Sequence, residues 1–191
     1  MREPVFTQIM QIGFVVRDLD ATIQQYVDEY GIGPWERHDE LTSDNAKDLW
    51  STVDVLLVNG VEAERLSGMP VAGVPGAVKA SEAFQQRFAI PSVIVTLGGQ
   101  GVVALDDRGV RHLPAWPVSV VETIGAGDAF AGVLASELAR GRQLDEALPL
   151  ANAAGALAVT RPGAHDALPT AAQIRAFLEE RQRTESDVDG C

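Results

Sequence analysis

An α/β fold, with a mainly parallel sheet covered by helices on both faces in three layers, is predicted by three observations. Short apolar runs at residues 53–58, 92–97 and 102–105 have the length and β-branched content of buried strands. Between and after them lie stretches with helical character closed by glycine, among them residues 61–67 before Gly68 and 129–140 before Gly141. The 191 residues are 46% hydrophobic, which is enough to build a core of one domain or one and a fraction.

Taken in order, residues 9–16 are apolar and β-rich, and Asp18-Leu19-Asp20 can cap a helix over 21–30 that Gly31 stops. A rigid turn through Gly33-Pro34-Trp35 leads into a charged stretch without periodicity, and a boundary is expected near residues 38–46. Strand 53–58 then passes through Asn59 into the short helix 61–67. Strand 92–97 turns through Gly98-Gly99-Gln100-Gly101 into strand 102–105, and Asp106-Asp107-Arg108-Gly109 makes a hairpin turn. Residues 118–121 lead to Gly125-Ala126-Gly127-Asp128 and the helix 129–140. An alanine-rich helix follows over 144–159, ended by Arg161-Pro162-Gly163, and a last helix over 171–183. The acidic residues 184–191 read as a disordered tail. Strands alternating with helices imply the parallel sheet.

The formal net charge of −12 disfavours partners that need their phosphates neutralised, so neither nucleic acid nor an anionic membrane surface is expected. A single nucleotide is not excluded, because local amides and metal ions hold it rather than the field of the whole protein. Cys191, the one cysteine, cannot form an internal disulfide, and no signal peptide or membrane span is read in the sequence. A cytoplasmic location is the expectation.

The most informative segment is Glu122-Thr123-Ile124-Gly125-Ala126-Gly127-Asp128-Ala129-Phe130. Small residues at a helix start let successive N–H groups approach a ligand closely, and the helix dipole adds about half a positive charge there. Amides so placed suit the negative charge that spreads over a phosphoryl group in transfer, and Asp128 beside them can accept a hydroxyl proton. A plain helix start, with glycine for the turn and Asp near the cap, accounts for the same residues. Asn59-Gly60-Val61-Glu62 is open to two readings also, since it has the spacing of a helix cap. Thr96 to Gly101 can be a turn and no more, and Asn152 a satisfied polar group on a helix face.

Taken together over residues 50–183, these segments resemble in order and spacing the second half of the ribokinase, or phosphofructokinase-B-type, carbohydrate kinases. The resemblance implies a ribokinase-like α/β/α half-domain over 47–183 whose ligands are ATP, Mg²⁺, K⁺ and a ribose-like sugar. Asp128 would deprotonate the primary hydroxyl of the sugar, and the amides of Gly125, Ala126 and Gly127 would stabilise the transferring phosphoryl group. Asn59 and Glu62 would organise Mg²⁺ and its waters. Thr96, Gly98 and Gly101 would lie along the nucleotide, Asn152 would line the adenine pocket, and Glu122, Ile124 and Gly163 would surround the monovalent cation. Two departures stand inside the signature: the family commonly has Asp where this chain has Glu122, and a smaller residue where it has Val133.

Residues 1–40 resemble the opening β-α unit of a vicinal oxygen chelate, or glyoxalase-like, domain, with Gln11 where such domains place a metal ligand. The resemblance covers too little to complete a chelate site, and His38, His112 and His165 read as surface residues. The kinase family's first half, with its lid and sugar-holding residues, is not recognisable, and members often pair through that lid. A homo-oligomer is possible, and an open sheet edge is expected to lower the solubility of a monomer. Two other readings stand beside the kinase: a nucleotide-binding remnant without catalysis, and a metal-dependent lyase or isomerase.

Overall fold

The structure, a computed structural model, describes residue 50 and residues 53–163 and 166–188. The expectations for residues 1–40, Gln11, His38 and His165 lie outside the described residues. All that follows concerns the unit Leu49–Cys191.

Four strands make the described sheet, in the order β1 (Val55–Asn59), β2 (Ser92–Thr96), β3 (Val102–Asp106) and β4 (Gly109–Leu113). The parallel character is confined to one pairing: β1 and β2 run the same way, while β2–β3 and β3–β4 are antiparallel. The cause of the two antiparallel pairings is local. The turn through Gly98–Gln100 and the two-residue link Asp107-Arg108 are too short for a crossover, so the chain can only fold back on itself.

Between β1 and β2 the chain makes the helical crossover that parallel strands need, through α1 (Gly60–Ser67) and α2 (Gly73–Phe88). The second of these helices is absent from the sequence reading, because Gly73-Val74-Pro75-Gly76 looks like a loop. Pro75 falls in the first turn, where its missing N–H is no loss. Helices α3 (Ala126–Ala139), α4 (Leu144–Ala158) and α5 (Ala171–Val188) complete the described chain, the last running five residues past Arg183 into the stretch expected to be disordered.

Alternation along the strands sorts the core into two layers. Val93, Val95 and Val103 pack with Ala77, Ala80 and Phe84 of α2, whereas Ile94, Val102 and Ala104 pack with Phe130, Leu134 and Leu148 of α3 and α4. Helices therefore cover both faces of the sheet, as expected. The buried alanines of α4 let it approach α3 and α5 closely around Ala129 and Ile174. The exposed hairpin end is held by Arg111, which reaches Asp106 at 2.5 Å and Asp145 of α4 at 2.7 Å. Burial raises the Asp106 pKa, but the bonds from Arg111 and the Arg108 backbone outweigh it and hold the carboxyl below its usual range. Among the described residues no helix is long and apolar enough to cross a membrane.

Gly101 shows where one hydrogen atom decides the fold. It is buried with φ 91°, and a Cβ there would lie 2.0 Å from the Leu113 carbonyl oxygen and 2.6 Å from Ala115 N. Gly101→Ala should cost about 2–5 kcal/mol from backbone strain plus overlap. Gly132→Ala, in the middle of α3 with open space around it, should instead stabilise by roughly 0.5–1 kcal/mol. Urea unfolding of both variants checks this, and an unchanged midpoint for Gly101→Ala would show that residues 113–115 can move aside.

Candidate active site

Parallel pairing in register places Asn59 opposite Thr96, so the last residues of β1 and β2 stand side by side at the carboxyl end of the sheet. Ligands of open α/β sheets collect at such ends. Here a cavity of about 450 Å³ is lined by Asn59, Gly60 and Val61 from one strand end and Thr96, Leu97 and Gly98 from the other, with Glu64 and Val71.

Asn59 caps α1. Its Oδ1 accepts from Glu62 N–H at 2.9 Å, and its own N–H donates to Glu62 Oε2 at 2.8 Å, a reciprocal capping box. The structural reading of this pair is thus realised, while Asn59 Nδ2 and Glu62 Oε1 stay outside the box and both residues are exposed. Glu64 was not singled out by the sequence, although it lines the cavity and its Oε2 accepts from Val71 N–H at 3.0 Å. Only its position one turn before the α1–α2 link hints at that bond.

A second group gathers at the start of α3. Gly125 is the N-cap at φ 81°, and its carbonyl accepts the first helical bond from Ala129 N–H at 2.8 Å. Among the described residues the N–H groups of Gly127 and Asp128 have no acceptor, the condition of every uncapped helix start. A Cβ on Gly127 would meet nothing within 4 Å, so the surface at that residue is open. Asp128 is exposed in the first turn, next to those amides. None of residues 122–130 lines the 450 Å³ cavity, so the structure presents the strand ends and the helix start as separate clusters.

The other expected residues divide. Gly98 lies exposed on the cavity wall, and Gly101 is buried, with Leu113–Ala115 of its own chain where a side chain would lie. Asn152 is half-buried and its Nδ2 donates to Pro114 O at 2.9 Å, tying α4 to the segment after β4. One turn on, Gly155 lets α4 pass the Ala126 carbonyl, which would lie 3.4 Å from a Cβ placed there. His112 is exposed, with Nε2 2.7 Å from Gln100 O. Glu122 and Gly163 do meet, although through a Gly163 N–H that donates to Glu122 Oε2 at 2.6 Å. An amide hydrogen thus points at Glu122 Oε2, so that oxygen as arranged is not free for the expected monovalent cation.

Comparison with known proteins bears on what these clusters serve. Residues 34–171 match the sequence model of the pfkB family carbohydrate kinases, a span that opens ahead of the expected boundary near 38–46. The chain is 36% identical over 132 residues to the ribokinase of Haemophilus influenzae, covering 69% of this chain and 43% of that one. The crystal structure of ribokinase from Thermotoga maritima superposes with a TM-score of 0.63 at 30% identity, covering 81% of this chain and 47% of its own. Ribokinase of Arabidopsis thaliana, solved with ribose and ATP, gives 0.62 at 29%, covering 69% and 43%. The chain spans less than half the length of each of these proteins. With the family match running through both strand ends and the start of α3, the chain belongs to the pfkB family of carbohydrate kinases.

Proposed function

We propose that this chain carries the nucleotide-binding and phosphoryl-transfer half of an ATP-dependent kinase acting on a ribose-like sugar. The observation that carries the reading is the start of α3, where among the described residues the amides of Gly127 and Asp128 have no acceptor and adjoin an exposed carboxylate. A sugar hydroxyl attacking the terminal phosphorus of ATP must lose its proton as the new O–P bond forms and the bond to ADP breaks. Asp128 accepts that proton. The amides of Gly125, Ala126 and Gly127 stabilise the charge on the transferring group, and the dipole of the 14-residue α3 adds to them.

ATP lies along Thr96 and Gly98, with the cavity at the strand ends receiving its phosphates. Asn59 and Glu62 would organise Mg²⁺, its waters and the phosphates: Glu62 Oε1, left outside the cap, is the oxygen available to the ion or its waters, and Asn59 Nδ2 can donate to a phosphate oxygen. Mg²⁺ supplies neutralisation of phosphate charge, and it needs only one or two carboxylates when phosphates complete its shell.

Calorimetric titration with ATP, with and without Mg²⁺, followed by a coupled assay with ribose, tests the proposal. Tight Mg²⁺-dependent binding and turnover are expected, and Asp128→Asn should lower kcat by about 10²–10⁴-fold with ATP affinity nearly unchanged. Retained turnover in that variant would remove Asp128 from the chemistry, and binding without transfer would reduce the chain to a nucleotide-binding part.

The cap and the proposed metal role of Glu62 separate by mutation. Asn59→Ala should cost about 1 kcal/mol in urea unfolding through loss of the cap. Glu62→Gln keeps an oxygen that can accept from Asn59 N–H, so its unfolding midpoint should stay close to wild type while the Mg²⁺-dependent gain in ATP affinity falls. Equal Mg²⁺ dependence in wild type and Glu62→Gln would leave Glu62 with the cap alone.

A further inference from the structure

The segment entering α3 is laced to the turn behind α4 by three hydrogen bonds. Val121 N–H and Glu122 N–H both donate to Val159 O, at 2.7 and 3.2 Å, and Gly163 N–H donates to Glu122 Oε2 at 2.6 Å. The third bond joins residues 41 positions apart, is partly buried, and is charge-assisted. Gly163, at φ 94°, takes a backbone conformation that turns its N–H toward the carboxylate.

We infer that Glu122 is a positioning residue whose carboxylate, by clamping Gly163 N–H directly, does the structural work of a monovalent cation and makes the start of α3 independent of K⁺. A cation between these two segments would be held by oxygen atoms from both. Here one side offers an N–H, whose positive end faces the carboxylate and would repel a cation from that oxygen. Shortening the side chain by one C–C bond, about 1.5 Å, would break the contact and leave the carboxylate unpaired. Through the clamp, residues 123–125 are anchored at their entry, and with them the Gly125 cap that aims the amides of α3. The clamp is independent of the proposed kinase reading; what it positions rests on that reading.

Two measurements on the full chain test the inference. The first is amide exchange at Gly163 in KCl and in choline chloride at equal ionic strength. Wild type should be protected equally in both salts, and Glu122→Ala should lose about tenfold or more of that protection. Glu122→Gln, whose amide oxygen can still accept, should recover most of it, and Glu122→Asp should not. The second is the MgATP dissociation constant of wild type in the same salts, expected to agree within about twofold. A K⁺-specific gain in Gly163 protection or in MgATP affinity of more than about threefold, or a Glu122→Gln variant no better protected than Glu122→Ala, overturns the clamp. Should Glu122→Ala fail to fold, the salt comparison on wild type and the Gln–Asp contrast still decide. Absence of MgATP binding in both salts would count against the kinase reading alone, since Gly163 exchange needs no nucleotide.

Discussion

Five residues of β1 lie beside five of β2 and run in the same direction, and a parallel pair cannot be closed by a tight turn. The chain must leave the sheet at Asn59, cross over one face as α1 and α2, and return at Ser92. Three properties of the molecule follow from that obligation. The crossover covers one face with Phe84 and its neighbours, the strand ends Asn59 and Thr96 come to rest adjacent, and the exit from β1 becomes a helix start that needs a cap. The cavity at the strand ends follows from this route.

A second constraint acts on the other face. Helix α4 is rich in buried alanine and carries Gly155 against the Ala126 carbonyl, so α3 and α4 lie close along their length. Asn152 anchors the same helix to Pro114, and Glu122 anchors the approach to α3 through Gly163. Several residues that the family resemblance marks for ligands therefore spend part of their polar capacity inside the protein. Among the described residues the amides of Gly127 and Asp128 differ in having no internal acceptor, which supports the proposed role for this helix start.

What the sequence made legible was set by how local the cause is. The strands over 92–96 and 102–106 stand out because both of their faces are buried, β1 because its apolar run is bounded by polar residues, α3 because Gly141 stops it, and α4 because of its alanine-rich run. Helix α2 was hidden by glycines and a proline in its first turn, which are harmless there but resemble a loop on paper. At the site, the Asn59–Glu62 box spans four residues and was readable as a cap. The burial of Gly101 under Leu113–Ala115, the Asn152–Pro114 bond and the Glu122–Gly163 clamp join positions 12 to 41 residues apart, and no spacing rule connects them. Glycine and asparagine in a turn or on a helix face look the same whether they touch a ligand or their own backbone.

The two margins of the described sheet are unlike. Strand β4 alternates exposed Val110 and His112 with an ion-paired Arg111, so solvent can border it at little cost. Strand β1 sends Leu56 and Val58 into one core layer and Val55 and Leu57 into the other, the pattern of a strand meant to have a neighbour on each side. Among the described residues it has one such neighbour, β2. Its outer row of main-chain donors and acceptors is a template without a sequence requirement, so recognition there would depend on backbone geometry and on flanking apolar surface more than on particular side chains.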